Sequence, residues 1–195
     1  KMIKNLAAEC RMPLCYGGGV STVDQFKKII GLGVEKVAIS AAAINNSELI
    51  TRAAELFGSQ SVVVVLDVKK KQIGNKYNIY TNNGTRKMKL IFTEFVSKIE
   101  TLGAGEIVIN SIDRDGKMQG YDLELINQVR EIVSIPVTAL GGAGSMKHIT
   151  ELVERFGIIG AAAGSLFVFK GKYRAVLISY PSQIDKDKIT FNGLA

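Results

Sequence analysis

The feature that most constrains this chain is an internal repeat. Residues 13–40 read PLCYGGGVSTVDQFKKIIGLGVEKVAIS, and residues 136–165 read PVTALGGAGSMKHITELVERFGIIGAAAGS. Each runs through Pro, an apolar strand, a Gly-Gly turn, a helix opened by Ser or Thr, a Gly, a second apolar strand and a Ser. A strand–turn–helix–strand unit that recurs within one chain marks a fold built from equivalent pieces. Between the two units lie two more strand-like runs, one ending at Asp67 and one at Asn110. If the halves are equal, the second holds the strands ending at Asp67, Asn110, Leu140 and Ala163, and the first holds only its last two. The expectation is therefore an α/β protein, a (β/α)8 TIM-type barrel, with its first two βα units missing from the chain. Such barrels need about 250 residues, and this chain has 195. Residues 1–195 read as a single, N-terminally incomplete phosphate-binding β/α barrel domain.

The element pattern supports this. Residues 61–66, SVVVVL, are a continuous β-branched run, the signature of a strand buried on both faces of a parallel sheet. Further strands are expected at 13–16, 36–40, 106–110, 136–140 and 158–163. Val23, Phe26, Ile29 and Ile30 recur at helical spacing, with Ser21 as the cap and Asp24 at the capping-box position. Other helices are expected at 46–57, 90–99, 123–133 and 146–156. The polar stretch 69–87 reads as a hairpin-like loop turning at Asn82-Asn83-Gly84. A final helix and a polar tail follow from Lys172. Strands alternating with helices call for right-handed parallel crossovers.

Charge and composition narrow the function. The net charge is +7, but the densest basic run, around Lys69-Lys70-Lys71, lies in no nucleic-acid-binding module. A positive field that attracts phosphorylated substrates fits better. Cys10 and Cys15 with the single His148 make too few ligands for structural zinc. No metal or cofactor, no nucleic acid and no membrane partner is expected. A cytoplasmic protein is the default reading.

A Gly-rich turn after a strand bares backbone N–H groups to an anionic ligand. Gly17-Gly18-Gly19 with Ser40 make one candidate phosphate site, and Gly141-Gly142 with Gly164-Ser165 make another. Two such sites imply a ligand with a phosphate at each end. Asp67 ends a buried strand at the face where barrels do their chemistry, and a carboxylate there serves as general acid or base. A solvated Asp paired with Lys69 is the plainer alternative. In the loop that follows Asn110, Asp115 is a candidate substrate contact. Asp113 is undecided, with pairing to Arg114 or loop capping open to either acid.

YGGGV, VEKVAIS, FGSQSVVVVLD, GAGEI, SIDRDG, GYDLEL, IPVTALGGAG and AGSLFVF together resemble the cyclase subunit of imidazole glycerol phosphate synthase, the HisF family, over nearly the whole chain. The resemblance implies a glutaminase partner whose ammonia travels along the barrel axis. At the C-terminal face it meets a bis-phosphorylated formimino-carboxamide ribonucleotide, giving imidazole glycerol phosphate and aminoimidazole carboxamide ribotide in histidine biosynthesis. It also implies that Asp67 is one of two catalytic aspartates, the other lying on a strand this chain lacks. By the same resemblance Gly18, Gly19, Gly142, Gly164 and Ser165 contact phosphate, Asp115 faces substrate, and Lys36 and Glu106 gate the ammonia channel. A structural ion pair is the alternative for those two. Departures from the family pattern fall at Ser40-Ala41, usually Asn-Thr, at Asn110, usually Thr, and at Leu140, usually Ser. Ser40 and Asn110 count among the substrate contacts. The run FVFKGKYRAVLISYPS is similar to a paralogous branch associated with surface-sugar biosynthesis. That likeness implies an alternative, ammonia delivery for acetamidino-sugar formation in surface polysaccharide. A phosphosugar isomerase-like barrel is the third reading.

Overall fold

The computed structural model describes residues 2–74 and 76–192. Its strands, in chain order, are β1 (Cys15–Gly17), β2 (Lys36–Ile39), β3 (Val62–Lys70), β4 (Tyr77–Thr81), β5 (Arg86–Lys87), β6 (Glu106–Ser111), β7 (Val137–Leu140), β8 (Gly160–Ala161), β9 (Phe169–Lys170) and β10 (Ala175–Val176). Its helices are α1 (Met2–Glu9), α2 (Val23–Ile30), α3 (Ala41–Asn45), α4 (Glu48–Phe57), α5 (Phe92–Thr101), α6 (Leu123–Arg130), α7 (Met146–Phe156), α8 (Ser165–Val168) and α9 (Gln183–Asn192).

The main sheet runs β1-β2-β3-β6-β7-β8, with every neighbouring pair parallel. This order never reverses. A doubly wound sheet reverses at a switch point, so its helices cover both faces. Here each right-handed crossover places its helix on the same side, which leaves the other side as a barrel interior. The expected TIM-type architecture is what the sheet shows, as a curled arc of six parallel strands.

Side-chain alternation separates the two faces. On β6, Ile107 and Ile109 are fully buried, while Glu106, Val108 and Asn110 are half-buried. On the helix side Val37, Ile39, Val64, Leu66, Ile107, Ile109 and Val137 form one core with Phe26 of α2, Ile50 of α4, Ile99 of α5, Leu125 of α6 and Leu152 of α7. Each such side chain contributes roughly 1.5–3 kcal/mol by leaving water. The inner face carries Lys36, Ala38, Val63, Val65, Asp67, Glu106, Val108, Asn110, Thr138 and Leu140, in register across the strands.

Several expectations are corrected. The cap of α2 is Thr22, which accepts from the Gln25 N–H, and the Gln25 side chain accepts in return from the Thr22 N–H. The Ser21–Asp24 box gives way because Gln25 is the residue three positions after the true cap. β3 does not stop at Asp67. It continues to Lys70 because β4 takes up its edge where β2 ends, pairing Asp67 with Tyr80 and Lys70 with Tyr77 antiparallel. The hairpin-like stretch is thus a β-ribbon, β4–β5, standing on the end of β3. The strand expected over 158–163 shrinks to Gly160–Ala161, and a Cβ at Gly160 would lie 2.0 Å from Thr138 Oγ1. After Lys170 the chain does not go straight into a helix. β9 and β10 form a hairpin through Gly171 and Arg174, both at positive φ. α9 begins only at Gln183, and residues 193–195 of the tail lie outside the described residues. Among the described residues no helix is long and apolar enough to cross a membrane.

Candidate functional site

The C-terminal ends of the parallel strands carry two glycine-built cradles. In the first, β1 runs into Gly18 (φ 120°) and Gly19 (φ 73°) before α2. L side chains avoid this backbone region, and a Cβ at either position would meet nothing within 4 Å. These glycines therefore present open backbone to the cavity. Ser40 stands opposite, at the start of α3. A cavity of about 590 Å³ is lined by Gly17, Gly18, Gly19, Ser40, Asp67 and the ribbon residues Asn82 and Asn83, among others.

The second cradle is tighter. Gly141 (φ 92°) and Gly142 (φ 102°) follow β7. A Cβ on Gly142 would lie 2.1 Å from the Gly120 carbonyl oxygen, and one on Gly141 would lie 2.7 Å from that of Ser111. Backbone packing alone demands glycine at both. The Gly120 N–H donates to the Gly142 carbonyl at 2.7 Å. Asp115, Leu140, Gly142, Gly164 and Ser165 line a cleft with about 10 Å³ of free space, room for one water-sized group.

Between the cradles, Asp67, Asn110 and Leu140 form a row across β3, β6 and β7. The Asn110 Nδ2 donates to Asp67 Oδ1 at 2.8 Å. Asp67 is thus half-buried and held by an amide rather than by Lys69. In the loop after β6 the two acids separate. Asp113 Oδ2 accepts from the Lys70 N–H at 2.8 Å, tying the loop to the end of β3. Asp115 is exposed at the second cradle. Arg114 donates to the Gly120 carbonyl at 3.1 Å. Arg174 of the β9–β10 hairpin donates to the Gly116 carbonyl at 2.9 Å, while its guanidinium lies 5.0 Å from the centre of the Phe169 ring.

Two tyrosines lock the surrounding loops. Tyr121 donates its phenol to the Ala162 carbonyl at 3.0 Å, and burial pushes its pKa up to about 12. Tyr77 donates to Asp122, the cap of α6. Burial, then the Asp122 charge, holds its phenol well above the usual range.

At the opposite ends of the strands, Lys36 Nζ meets Glu106 Oε2 at 2.6 Å, and Thr138 Oγ1 donates to the other carboxylate oxygen at 2.7 Å. Both cysteines are free and exposed. Among the described residues no group of three His, Cys, Asp or Glu is placed to hold a metal ion.

The structure thus gathers Gly18, Gly19, Ser40 and Asp67 around one cavity, and Asp115, Gly142, Gly164 and Ser165 around the other. Asn110 joins Asp67 rather than lining either cavity, and Lys36 with Glu106 stands apart at the far end. Sequence reasoning missed Thr138, Tyr121 and the ribbon asparagines. Thr138 is a polar residue at an alternating position of a buried strand, and the register turns it toward Glu106. Asn82 and Asn83 stood out only as a turn.

Residues 1–174 match the family of histidine biosynthesis proteins. The chain is 54% identical over 187 residues to a putative imidazole glycerol phosphate synthase subunit hisF3 of Vibrio vulnificus, covering 96% of this chain and 72% of that one. It is 50% identical over 189 residues to a putative subunit HisF of the same synthase from Leptospira borgpetersenii, covering 97% and 74%. It is 43% identical over 169 residues to the imidazole glycerol phosphate synthase subunit HisF of Clostridium botulinum, covering 87% and 67%.

Proposed function

The chain belongs to the histidine biosynthesis protein family, and on that premise we propose that it is a cyclase subunit of imidazole glycerol phosphate synthase. The observation that carries the reading is the placement of a held carboxylate, Asp67, between two glycine cradles on one end of a barrel arc. The substrate is a bis-phosphorylated formimino-carboxamide ribonucleotide. One phosphate takes the backbone of Gly18 and Gly19 with Ser40. The other sits at the mouth of the tighter cleft, which is too narrow to enclose it, against Gly142, Gly164 and Ser165, with Asp115 facing the ribose side. The cradles sit four strand spacings apart, on the order of 19 Å along the sheet at about 4.8 Å per strand. A ligand with phosphates at both ends of an extended body suits that span.

A glutaminase subunit docks at the strand starts and releases ammonia beside Lys36 and Glu106. From there the inner face offers Ala38, Val63, Val65 and Val108, a largely apolar path. Four residue steps along β6 lead from Glu106 to Asn110, about 13 Å at about 3.3 Å per residue. A neutral molecule travels such a path more easily than an ion, because burying an unpaired charge is costly. Asp67 then takes a proton from the attacking nitrogen and returns one as the ring closes. The products are imidazole glycerol phosphate and aminoimidazole carboxamide ribotide. The reading places the enzyme in the cytoplasm with its soluble substrates.

One observation favours a second reading. Leu140 projects into the tighter cradle, which disfavours a bulky phosphorylated end. On that reading the same path delivers ammonia to an enzyme that forms an acetamidino sugar. Gly164→Val tests the choice. No atom lies within 4 Å of a Cβ at this position and its φ is ordinary, so stability changes by less than about 0.5 kcal/mol. Affinity for the bis-phosphorylated substrate, measured by calorimetry, should fall at least about tenfold, or about 1.4 kcal/mol. Unchanged affinity, or no binding by the unaltered protein, would favour the ammonia-delivery reading.

A further inference from the structure

The β4–β5 ribbon turns over at the edge of the larger cavity. Asn82, Asn83 and Gly84 all have positive φ, at 53°, 55° and 76°. Asn83-Gly84 has the residue pair and the signs of φ of a type I′ hairpin turn. The Thr85 N–H and hydroxyl close it by donating to the Asn82 carbonyl at 3.2 and 2.7 Å. Gly84 rests on the loop after β6, where an added Cβ would sit 3.3 Å from Ile112 Cδ1. The tip is therefore fixed in place. Its two asparagines line the cavity of about 590 Å³ together with Gly18, Gly19, Ser40 and Asp67. Both are exposed, and neither side-chain amide has a hydrogen-bond partner among the described residues. Turn chemistry accounts for the backbone, because Asn tolerates the left-handed region. It does not call for two free amides in a cavity, since glycine serves the same backbone without a side chain. An amide offers a donor and an acceptor together. A hydroxyl answers both, whereas a phosphate oxygen answers only the donor. A cavity of this size also holds more than a phosphate.

We propose that Asn82 and Asn83 bind the sugar arm of the ligand: their amides hydrogen-bond its hydroxyl groups while its phosphate rests on Gly18, Gly19 and Ser40. This rests on the cyclase-subunit reading and adds to it the chemistry that the ribbon recognises. The tip is set before the ligand arrives, so few groups are ordered on binding. The two amides select a hydroxylated arm over an aliphatic one and fix its direction relative to Asp67.

The test compares two probes, glycerol phosphate and propyl phosphate, which share a carbon skeleton and a phosphate and differ in their hydroxyls. Binding is followed by NMR at the Gly18 and Gly19 backbone amide signals, so that this cradle alone is read. The unaltered protein should bind glycerol phosphate about tenfold more tightly than propyl phosphate, the scale of one or two hydrogen bonds. Replacing both residues, Asn82→Gly with Asn83→Gly, keeps the positive-φ turn and removes both amides. That variant should bind the two probes within about twofold of each other, with propyl phosphate affinity unchanged. Asn82→Gly alone leaves the Asn83-Gly84 turn intact and should narrow the preference to about threefold. Three results would overturn the proposal: an unaltered protein with no preference for glycerol phosphate, a preference that survives in the double variant, or an equal loss of both probes in both variants. The last would mean that the tip only shapes the cradle. The measurement needs no turnover. A preference that vanishes with the amides, in a protein that leaves the ribonucleotide unchanged, would uphold the proposal and sink the cyclase reading.

Discussion

Tyr121 and Tyr77 show how single side chains brace the site. Both phenols are raised, Tyr121 to about 12 by burial and Tyr77 by burial and its carboxylate neighbour. In the unfolded chain a tyrosine ionises near pH ~10. The fold therefore favours the neutral phenols. Their contribution is complete below about pH 10 and declines as pH rises from there through the folded values. Unfolding in denaturant at a series of alkaline pH values should show stability dropping above about pH 10, with a shallower drop in Tyr121→Phe. At neutral pH that variant should lose about 1 kcal/mol with its bond to Ala162. An equal slope in both proteins would contradict the assignment. Tyr121 lies within the GYDLEL motif and was legible there as family pattern, but not as a brace. Its partner is a carbonyl 41 residues away, and no local spacing announces such a bond. Asn110 is the same case: its identity was legible, and its pairing with Asp67 needs the register of β3 on β6.

The glycine turns govern the scale of elements. Gly142 has φ 102° and a would-be Cβ 2.1 Å from a carbonyl oxygen. Gly142→Ala should cost about 1–3 kcal/mol from backbone strain, more where the Gly120 loop cannot yield. For a chain of this size that lowers Tm by several degrees, at about 2–4 °C per kcal/mol. A melting temperature unchanged within about a degree would refute the close approach of the two loops. The repeat made these turns legible because a strand, two glycines and a cap are local signals. The C-terminal hairpin was not read, although Gly171 sits between two apolar runs. Phe169–Lys170 and Ala175–Val176 give strands of two residues each, too short to show an alternation. Asp67 was misplaced at a strand end for the converse reason. The extension to Lys70 depends on β4, whose polar flanks read as loop.

At the scale of the molecule, the one-way strand order separates two ends. One end carries the Lys36–Glu106–Thr138 cluster, and the other carries the cradles and Asp67. If the first end is a gate for ammonia from the proposed glutaminase subunit, Lys36→Ala in a complex reconstituted with such a subunit should cut glutamine-driven turnover several-fold while leaving ammonium-driven turnover nearly intact. Loss of both in equal measure would mean that the pair is a structural ion pair, as its partly buried geometry also permits. The two-ended plan was legible from the repeat and the charge positions. The apolar path between the ends emerges only when Ala38, Val63, Val65 and Val108 are seen to share one face.

The most direct test of the account supplies the formimino-carboxamide ribonucleotide and free ammonium to the protein and to its Asp67→Asn variant, and follows the loss of substrate absorbance. The unaltered protein should turn the substrate over, and the variant should lose at least about 10²-fold, the scale of general acid–base catalysis. Turnover undiminished in Asp67→Asn would remove Asp67 from the chemistry. A folded protein that binds the ribonucleotide and leaves it unchanged would contradict the cyclase reading itself.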